Sequence, residues 1–397
     1  MDLLRELKEM EREAGRGTVV PHVPNGPRPL DMDILMYDDI VLTDNSDPNM
    51  SLQIPHPRMH ERRFVLQPVA DLVTSDHIHP TLGRSIHDLL RDLPGDFDVT
   101  RVFPARHDVM WSFNKSTPKI FGVLNVTPDS FSDGGRLMSN DGKSIDTDLT
   151  VARAEKMFKE GAHVIDIGAE STRPHADKIS SQIQIDRAVP TIERIRKELG
   201  EALLLSIDTT SSDVARAAIE AGVNMVNDVS GGLADSNMTR TVAKLNVPYI
   251  LMHRRGDTST MTLETSKTYG NVVHDVAKEL NVCANDAQSC GIPRWNLLLD
   301  PGVGFSKTPE QSIHLLQNLS HLASSYPLLV GASRKRFLAH AVGRPDCSSP
   351  EDRDVASAAL SAVLTSSSSS SSIAGFRVHN VGMTSDAIAI AKSIVGD

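Results

Sequence analysis

The sequence predicts an α/β protein whose larger part is a closed (β/α)8 TIM barrel, and three observations support this prediction. Eight short apolar runs follow residue 115, and amphipathic segments with apolar residues at three- and four-residue spacing separate them. Parallel strands that are apolar on both faces require helices outside them. Each run also ends in a polar residue, at the strand end where barrels carry their active sites. A doubly wound open sheet is the alternative that this pattern leaves open.

The predicted strands are, in chain order, KIFGVLN, AHVIDIG, LLLSIDT, VNMVNDV, VPYILMH, NLLLDPG, PLLVGAS and AGFRVHN. Segments such as DLTVARAEKMFKEG and SSDVARAAIEAG supply the intervening helices. Before residue 115 the sequence has a different character, because it is rich in proline and histidine and contains short mixed elements. We therefore expect two domains, one over residues 1–110 and the barrel over residues 115–397.

Composition limits the classes of function. The chain has 397 residues, of which 40% are hydrophobic, and its formal net charge is -10. A negative charge disfavours nucleic acid and anionic membranes as partners, and no apolar run is long enough to cross a bilayer. The three cysteines form no CxxC pair, which disfavours a disulfide framework or a zinc site. We expect a soluble, intracellular protein.

The polar residues at the strand ends are the candidate binding groups, because a barrel gathers them at one rim. A single aspartate after a strand is often a helix cap. Eight such ends together favour a shared site, whose carboxylate and amide groups suit a flat, hydrogen-bonding heterocycle. These residues are Asn125, Asp166, Asp208, Asn227 with Asp228, His253, Asp300, Ser333, and Arg377 with His379.

The stretch GVLNVTPDSFSDGG, residues 122–135, changes from an apolar strand into a polar, glycine-rich loop. The loop carries Phe131 between two serines, a pattern typical of a mobile lid. A second loop, ESTRP at residues 170–174, follows the second strand. We expect the two loops to close together over the barrel mouth and to exclude water from it.

These two stretches, with SIDT, VND, LMH, LLLDPGVGFSK, GASRKRF and RVHN in the same order, resemble the signature segments of dihydropteroate synthase. The resemblance covers residues 115–397 and implies a transferase of folate biosynthesis. Its members condense (7,8-dihydropterin-6-yl)methyl diphosphate with 4-aminobenzoate to give 7,8-dihydropteroate and diphosphate, with Mg2+ as cofactor, and are usually homodimers. The alternatives are a related pterin-binding barrel that transfers methyl groups and a catalytically inactive product.

The resemblance assigns the pterin ring to Asp208, Asn227 and Asp300. A carboxylate opposite the guanidine-like edge of a pterin can accept two hydrogen bonds, which favours Asp208 and Asp300 on chemical grounds as well. The Phe305 ring is expected to stack near the pterin. The Lys335 ammonium follows an apolar strand, from which it is expected to reach the pterin ring or its carbonyl.

The diphosphate is assigned to Arg377 and His379, which lie two residues apart on the last predicted strand and so point the same way. The planar fork of an arginine matches phosphate oxygens. Asn125 resembles the residue associated with magnesium in the family, and substrate oxygens and water would complete the metal shell. The expected catalytic residues are Lys335, Arg377 and His379.

The 4-aminobenzoate pocket is expected between the two lid loops. Its aromatic amine is mostly neutral near pH 7, so no strong general base is expected. Water must be excluded because it would otherwise react with the electrophilic methylene group that the departing diphosphate leaves behind. The expected lining residues are Phe131, Thr172, Arg173, Pro174 and Ser333.

Residues 1–110 resemble the carboxyl-terminal half of hydroxymethyl-dihydropterin pyrophosphokinase, through NGPRPLDMDILMYDD and IPHPRMHERRFVL. Asp31 and Asp33 lie two apart on a predicted strand, so both carboxylates would face one side and could share a divalent metal. Kinase activity is not expected, because half a sheet leaves strand edges unpaired. The segment is either what remains of a longer multifunctional enzyme or a partly folded appendage. Cytoplasm is the expected compartment, and the mitochondrial matrix is also compatible.

Overall fold

The computed structural model describes residues 2–16, 29–47, 50–73, 76–94, 102–112, 117–127, 145–173, 176–322, 326–344, 349–367 and 373–395. The chain divides into two compact units, Met1–Val99 and Thr100–Asp397.

The described part of the first unit combines three helices with one antiparallel strand pair. Two small apolar clusters hold it together, one centred on the fully buried Met59, Leu66 and Ile86 and the other formed by Leu4, Leu52 and Ile54. Its elements are α1 (Asp2–Glu13), β1 (Leu42–Asp47), β2 (Met50–Ile54), α2 (Arg63–Leu72) and α3 (Ile86–Asp92).

The prediction of a strand at Asp31 and Asp33 is wrong, because residues 30–37 are irregular and both aspartates are exposed. The local alternation of apolar and polar residues is not sufficient for a strand, which also needs a paired neighbour. Asp31 instead accepts a hydrogen bond from Arg16 at 2.9 Å, and the Asp33 carboxylate lies 3.9 Å from the His56 ring. A shared metal at the two aspartates stays a prediction.

The second unit begins with an antiparallel hairpin, β3 (Val102–Arg106) and β4 (Val109–Ser112). The expected domain boundary near residue 110 falls inside this hairpin, whereas the two compact units divide before it.

Eight parallel strands then close into a barrel, and all eight are the ones that the sequence predicted. Each strand pairs with the next one along the chain, and the last pairs with the first. The strands are β5 (Lys119–Asn125), β6 (Val164–Gly168), β7 (Leu204–Asp208), β8 (Met225–Asp228), β9 (Tyr249–Met252), β10 (Leu297–Asp300), β11 (Leu328–Val330) and β12 (Ile373–Val378).

Helices cover the outside of the barrel, where their apolar faces form one continuous core with the outward side chains of the strands. Side-chain caps fix several helix starts: Asp146 accepts from two backbone amides, and Thr308 forms a reciprocal capping box with Gln311. The helices are α4 (Thr147–Lys159), α5 (Ser181–Leu199), α6 (Ser212–Glu220), α7 (Met238–Leu245), α8 (Val272–Ser289), α9 (Pro309–Gln317), α10 (Leu319–Leu322), α11 (Arg336–Ala341), α12 (Asp354–Thr365) and α13 (Val381–Val395).

The hairpin packs on the amino ends of the barrel strands, which we call the floor. Its Phe103 and Trp111 rings stack with their centroids 5.8 Å apart, and Trp111 meets the Phe121 ring of β5 edge-on at 6.0 Å. A separate apolar cluster joins the hairpin to one residue from each barrel strand: Phe121, Val164, Leu204, Met225, Ile250, Leu298, Leu329 and Ala374. The carboxyl ends of the strands form the opposite rim, the mouth.

Across the ranges that the structure describes, we found no helix with both the length and the hydrophobicity needed to cross a lipid bilayer.

Candidate active site

The predicted pterin residues lie at the mouth, on three strands. Asp208 is the last residue of β7, Asn227 lies in β8, and Asp300 ends β10. All three are buried, at 7%, 3% and 4% relative exposure. Burial of a carboxylate disfavours its charged form, and it raises the pKa of both Asp208 and Asp300 above the usual aspartate value. Positive groups are therefore needed beside them.

Arg377 of β12 supplies one of these positive groups. Its Nε donates to Asp166 at 2.5 Å, and its Nη2 donates to Asp208 at 2.6 Å. The two carboxylates raise the pKa of Arg377 against the opposing effect of burial. The sequence assigned Arg377 to the diphosphate. In this structure the guanidinium is the counter-ion of two buried carboxylates. Its contact with diphosphate stays a prediction.

Asp166 is a site residue that sequence reasoning noted as a strand end but did not assign. It lies inside β6, is fully buried, and accepts hydrogen bonds from both Arg377 and Asn227, the latter at 3.0 Å. The second oxygen, Oδ1, of both Asp166 and Asp208 is buried and has no hydrogen-bond partner among the described residues. Buried acceptors of this kind normally find a donor, so these two oxygens are unsatisfied among the described residues.

Asp300 and Lys335 form the second charged group of the mouth. The Asp300 Oδ2 and the Lys335 Nζ both lie within 4 Å of the point that a Cβ on Gly331 would occupy. Burial lowers the pKa of Lys335 to about 8, although the Asp300 charge opposes this shift. The prediction that Lys335 lies beside the pterin residues is consistent with this placement.

The loop after β10 brings Lys335 and Phe305 together. The Lys335 Nζ donates to the Val303 carbonyl at 2.7 Å and lies 4.3 Å from the centroid of the Phe305 ring. A Cβ on Gly302 would lie 1.9 Å from the His253 carbonyl oxygen, so the neighbouring backbone requires a glycine at this position.

His379 and Ser333 lie on neighbouring strand ends. The Ser333 hydroxyl accepts from the His379 amide at 3.2 Å and lies 3.1 Å from the His379 Nδ1. Burial, reinforced by the nearby charges of Arg334, Arg377 and Arg173, lowers the pKa of His379 well below its usual value. His379 is therefore neutral near pH 7 and can donate one hydrogen bond from the ring.

Arg334, next to Lys335, was missed by the sequence analysis. Its backbone is left-handed, with φ of 61°, and its guanidinium forms a two-point contact with Asp354 at 2.7 and 2.9 Å. Asn380 also donates to Asp354, at 3.2 Å. This ion pair holds the turn from which Lys335 projects. An SRKR string gives no local signal for it, because Asp354 lies on a different helix.

A second buried cation, Lys307, was also missed. Its ammonium lies 2.9 Å from the His253 Nδ1, and the His253 Nε2 lies 2.9 Å from the Glu279 carboxylate of α8. Burial lowers the pKa of Lys307 to about 7 and that of His253 to about 4. His253, predicted as a rim residue, is thus a link between β9, the loop after β10 and α8.

Asp228 has a structural role, which is the alternative explanation for an aspartate at a strand end. Its carboxylate accepts from the Ser230 amide and hydroxyl at 2.7 and 2.6 Å, from the Gly232 amide at 2.9 Å and from the Tyr249 hydroxyl at 2.9 Å. These four donors satisfy the carboxylate, so Asp228 shapes the turn after β8.

Asn125 is the predicted magnesium residue. It ends β5, and its Oδ1 lies 3.1 Å from the position that a Cβ on Gly168 would take; the Asp208 Oδ2 lies 3.8 Å from the same point. An amide oxygen is a suitable hard ligand for Mg2+. Among the described residues, no three His, Cys, Asp or Glu side chains gather into a metal site. The donor set fits magnesium only if substrate oxygens and water supply most of the shell.

The predicted aminobenzoate residues are partly described. Thr172 is half-buried and Arg173 is exposed in the segment after β6. Phe131 and Pro174 lie outside the described residues, as does the first lid loop from residue 128 onward. The pocket of aminobenzoate therefore stays a prediction, supported by Ser333 at the same rim.

Family models match both parts of the chain. The model described as pterin binding enzyme matches residues 121–379, which is more than half of the chain and reaches every barrel strand. The model described as 7,8-dihydro-6-hydroxymethylpterin-pyrophosphokinase (HPPK) matches residues 1–74.

Several known proteins are similar to this chain. The mitochondrial folate synthesis bifunctional protein of Arabidopsis thaliana is 39% identical over 99% of this chain and 71% of its own length. The structure of Xanthomonas albilineans dihydropteroate synthase with 4-aminobenzoic acid is 32% identical, with a TM-score of 0.64 over 75% of this chain and 100% of that one. A Plasmodium falciparum HPPK-DHPS triple mutant with pteroate is 27% identical, with a TM-score of 0.77 over 92% of this chain and 70% of that one.

Proposed function

Because the chain belongs to the pterin binding enzyme family, as a dihydropteroate synthase barrel that follows an HPPK-like segment, we propose that it makes dihydropteroate in folate biosynthesis. The reaction condenses (7,8-dihydropterin-6-yl)methyl diphosphate with 4-aminobenzoate and releases diphosphate. The chain is accordingly a transferase, and its substrates are the two small molecules.

The structural observation that best supports the proposal is the arrangement of charged groups at the mouth. The mouth contains two buried carboxylates, Asp166 and Asp208, each with one oxygen that lacks a donor among the described residues, beside a buried Asp300 and two positive side chains, Arg377 and Lys335. A pterin offers a row of N–H donors along one edge, and a diphosphate offers a strongly anionic tail. The mouth has acceptors for the first and cations for the second.

The pterin would enter with its N–H edge toward Asp300 and Asp208. Each ionised carboxylate can accept two hydrogen bonds, and these are stronger than bonds between neutral groups. Lys335, whose ammonium lies near Asp300, would donate to a ring acceptor. Asn227, already held by Asp166, would present its amide to the ring with little loss of conformational freedom.

In the chemical step, the lone pair of the aromatic amine forms a bond to the methylene carbon of the pterin. The bond from that carbon to the diphosphate oxygen breaks, and its electron pair leaves on the diphosphate. The amine then loses one proton to solvent or to the departing anion. Arg377 and His379 would stabilise the leaving group, the first through its charge and the second through a ring N–H.

Magnesium remains part of the proposal. A bound Mg2+ would neutralise charge on the diphosphate as it leaves. Asn125 would contribute one amide oxygen to that ion, on the strand next to Arg377.

The lid loops would complete the site. We propose that Thr172, Arg173, Pro174 and Phe131 enclose 4-aminobenzoate against Ser333, with the Arg173 charge available to its carboxylate. We further propose that the protein acts as a homodimer in the cytoplasm or the mitochondrial matrix.

The direct test is release of diphosphate by the purified chain when both substrates are present. We expect release to require 4-aminobenzoate and to fall at least about a hundredfold in Asp300→Ala, which removes hydrogen bonds to a charged group. Release that is independent of 4-aminobenzoate, or undiminished in Asp300→Ala, would contradict the proposal.

A further inference from the structure

The Lys307 ammonium is buried and fully hydrogen-bonded inside the protein. Its side chain is 6% exposed, which is rare for a lysine. The three N–H donors of the ammonium meet three acceptors: the His253 Nδ1 at 2.9 Å, the Gly302 carbonyl at 3.0 Å and the Phe305 carbonyl at 3.0 Å. The cation thus has no donor left for a ligand, and its role must be exerted through the groups that it holds.

Two of these acceptors belong to the tight loop of residues 301–306. The loop turns back on itself through three left-handed residues, Gly302 with φ of 62°, Gly304 with φ of 78° and Ser306 with φ of 51°. This path directs the Gly302 and Phe305 carbonyls to one point, where the Lys307 ammonium lies. Without a cation, two buried carbonyl dipoles would face each other with no donor between them.

The other side of the same loop contacts the mouth. The Gly302 amide donates to the Asp300 Oδ1 at 2.7 Å, and the Val303 carbonyl accepts from the Lys335 Nζ at 2.7 Å. The Phe305 ring lies against the same ammonium. The loop therefore lies between two lysines: Lys307 holds it from inside, and Asp300 and Lys335 depend on it at the mouth.

His253 connects Lys307 to a fixed support. Because its Nδ1 faces an ammonium, which can only donate, Nδ1 must be the acceptor and Nε2 carries the proton that is donated to Glu279. Glu279 also forms a two-point contact with Arg255, and the Tyr269 hydroxyl donates to the Ser306 carbonyl at 3.1 Å. The loops after β9 and β10 are thus attached to α8.

We propose that Lys307 is a positioning residue for the pterin site: its ammonium fixes the loop of residues 301–306 and thereby presets Asp300 and Lys335 for the pterin ring. This inference rests on the proposed function, since it takes the ligand of these two residues to be a pterin. Arg377 and Asn125 lie on β12 and β5 and make no hydrogen bond to this loop within the described part of the chain, so diphosphate binding should be independent of Lys307.

The experiment compares Lys307→Met with Lys278→Met, which removes an exposed lysine of α8 next to Glu279. Binding of 6-hydroxymethyl-7,8-dihydropterin, which has no diphosphate, and binding of inorganic diphosphate are measured separately by calorimetry. We expect Lys307→Met to weaken pterin binding about tenfold or more and to change diphosphate binding less than about twofold. Lys278→Met should change neither. In turnover, KM for the pterin substrate should rise while KM for 4-aminobenzoate stays constant.

Equal losses of pterin and diphosphate affinity in Lys307→Met would indicate a general structural role and overturn the proposal, as would unchanged pterin affinity. If Lys307→Met does not fold, Lys307→Gln decides, because its amide keeps two donors on a shorter side chain; a selective loss of pterin affinity of about threefold or more is then expected. The proposed function is judged separately, since a wild-type chain that binds no pterin contradicts it whatever the variants do.

Discussion

The floor and the mouth of the barrel are made by the same eight strands and have opposite chemistry. At the floor, one apolar residue from each strand packs on the aromatic hairpin, and at the mouth the strand ends supply carboxylates, amides and cations. The floor is stabilised by removal of apolar surface from water. The mouth contains buried charges that must be paired. These ion pairs contribute little net stability, but they hold polar groups in position for a ligand. We therefore expect floor variants to lower stability alone, and mouth variants to impair binding, with a loss of stability as well where a buried charge loses its partner.

The strongest challenge to this division is Arg377→Met, which acts at the mouth. It leaves Asp166 and Asp208 buried without their counter-ion, so we expect a loss of about 3 to 5 kcal/mol in the free energy of unfolding and loss of measurable turnover. Denaturant unfolding and diphosphate release would measure the two effects. Arg216→Met is the control, since it removes only an exposed helix pair.

If Arg377→Met were as stable as Arg216→Met, the two carboxylates would not need the guanidinium in the free protein. The double variant Arg377→Met with Asp208→Asn should recover part of the lost stability, because it removes one of the two uncompensated charges.

At the floor, Phe103→Ala should lower the free energy of unfolding by about 3 to 5 kcal/mol, because the ring is 1% exposed and the cavity is enclosed by the hairpin and the strands. KM for both substrates should remain unchanged at a temperature where the variant is folded. Val102→Ala is a matched control. Val102 is the neighbour of Phe103 on the same strand and is 46% exposed, so this variant should change the free energy of unfolding by less than about 0.5 kcal/mol. A large KM change in Phe103→Ala would mean that the floor and the mouth are coupled.

Changing the pH should affect the mouth through Lys335. Because burial lowers the pKa of this side chain to about 8, its charge is present below that pH and is lost above it. As far as Lys335 is concerned, we expect affinity for the pterin diphosphate to be constant below pH 8. Above pH 8 it should fall by up to about tenfold per pH unit. Lys335→Arg keeps its charge and should remove the decline; coincident profiles of the two proteins would assign the titration to another group.

The smallest effect is expected at Asn125. Asn125→Ala removes one proposed magnesium oxygen, so the Mg2+ concentration for half-maximal activity should rise about fivefold, equivalent to about 1 kcal/mol. Activity at saturating Mg2+ should recover most of the wild-type value. An unchanged magnesium requirement would remove Asn125 from the metal site.

The barrel could be predicted from the sequence because each strand carries its own signal, an apolar run with a polar end. Asp208, Asn227, Asp300 and Arg377 were identified at the mouth for the same reason. The pairing of Arg377 with Asp166 could not be predicted, since the two residues are 211 positions apart and the contact depends on closure of the barrel. Lys307 gave no signal either: a lysine after a glycine-rich loop is normally exposed, and only the tertiary structure brings His253 and two carbonyls around it.

The position of Arg377 on the last strand has a consequence for synthesis of the protein. The ribosome makes β6 and β7, with Asp166 and Asp208, long before it makes β12, from which the guanidinium comes. A nascent chain that has not yet emerged through β12 has an open barrel edge between β11 and β5 and two inward carboxylates without their cation. Because the same strand completes ring closure and charge neutralisation, we expect the barrel to become stable and able to bind its substrate only after β12 has emerged.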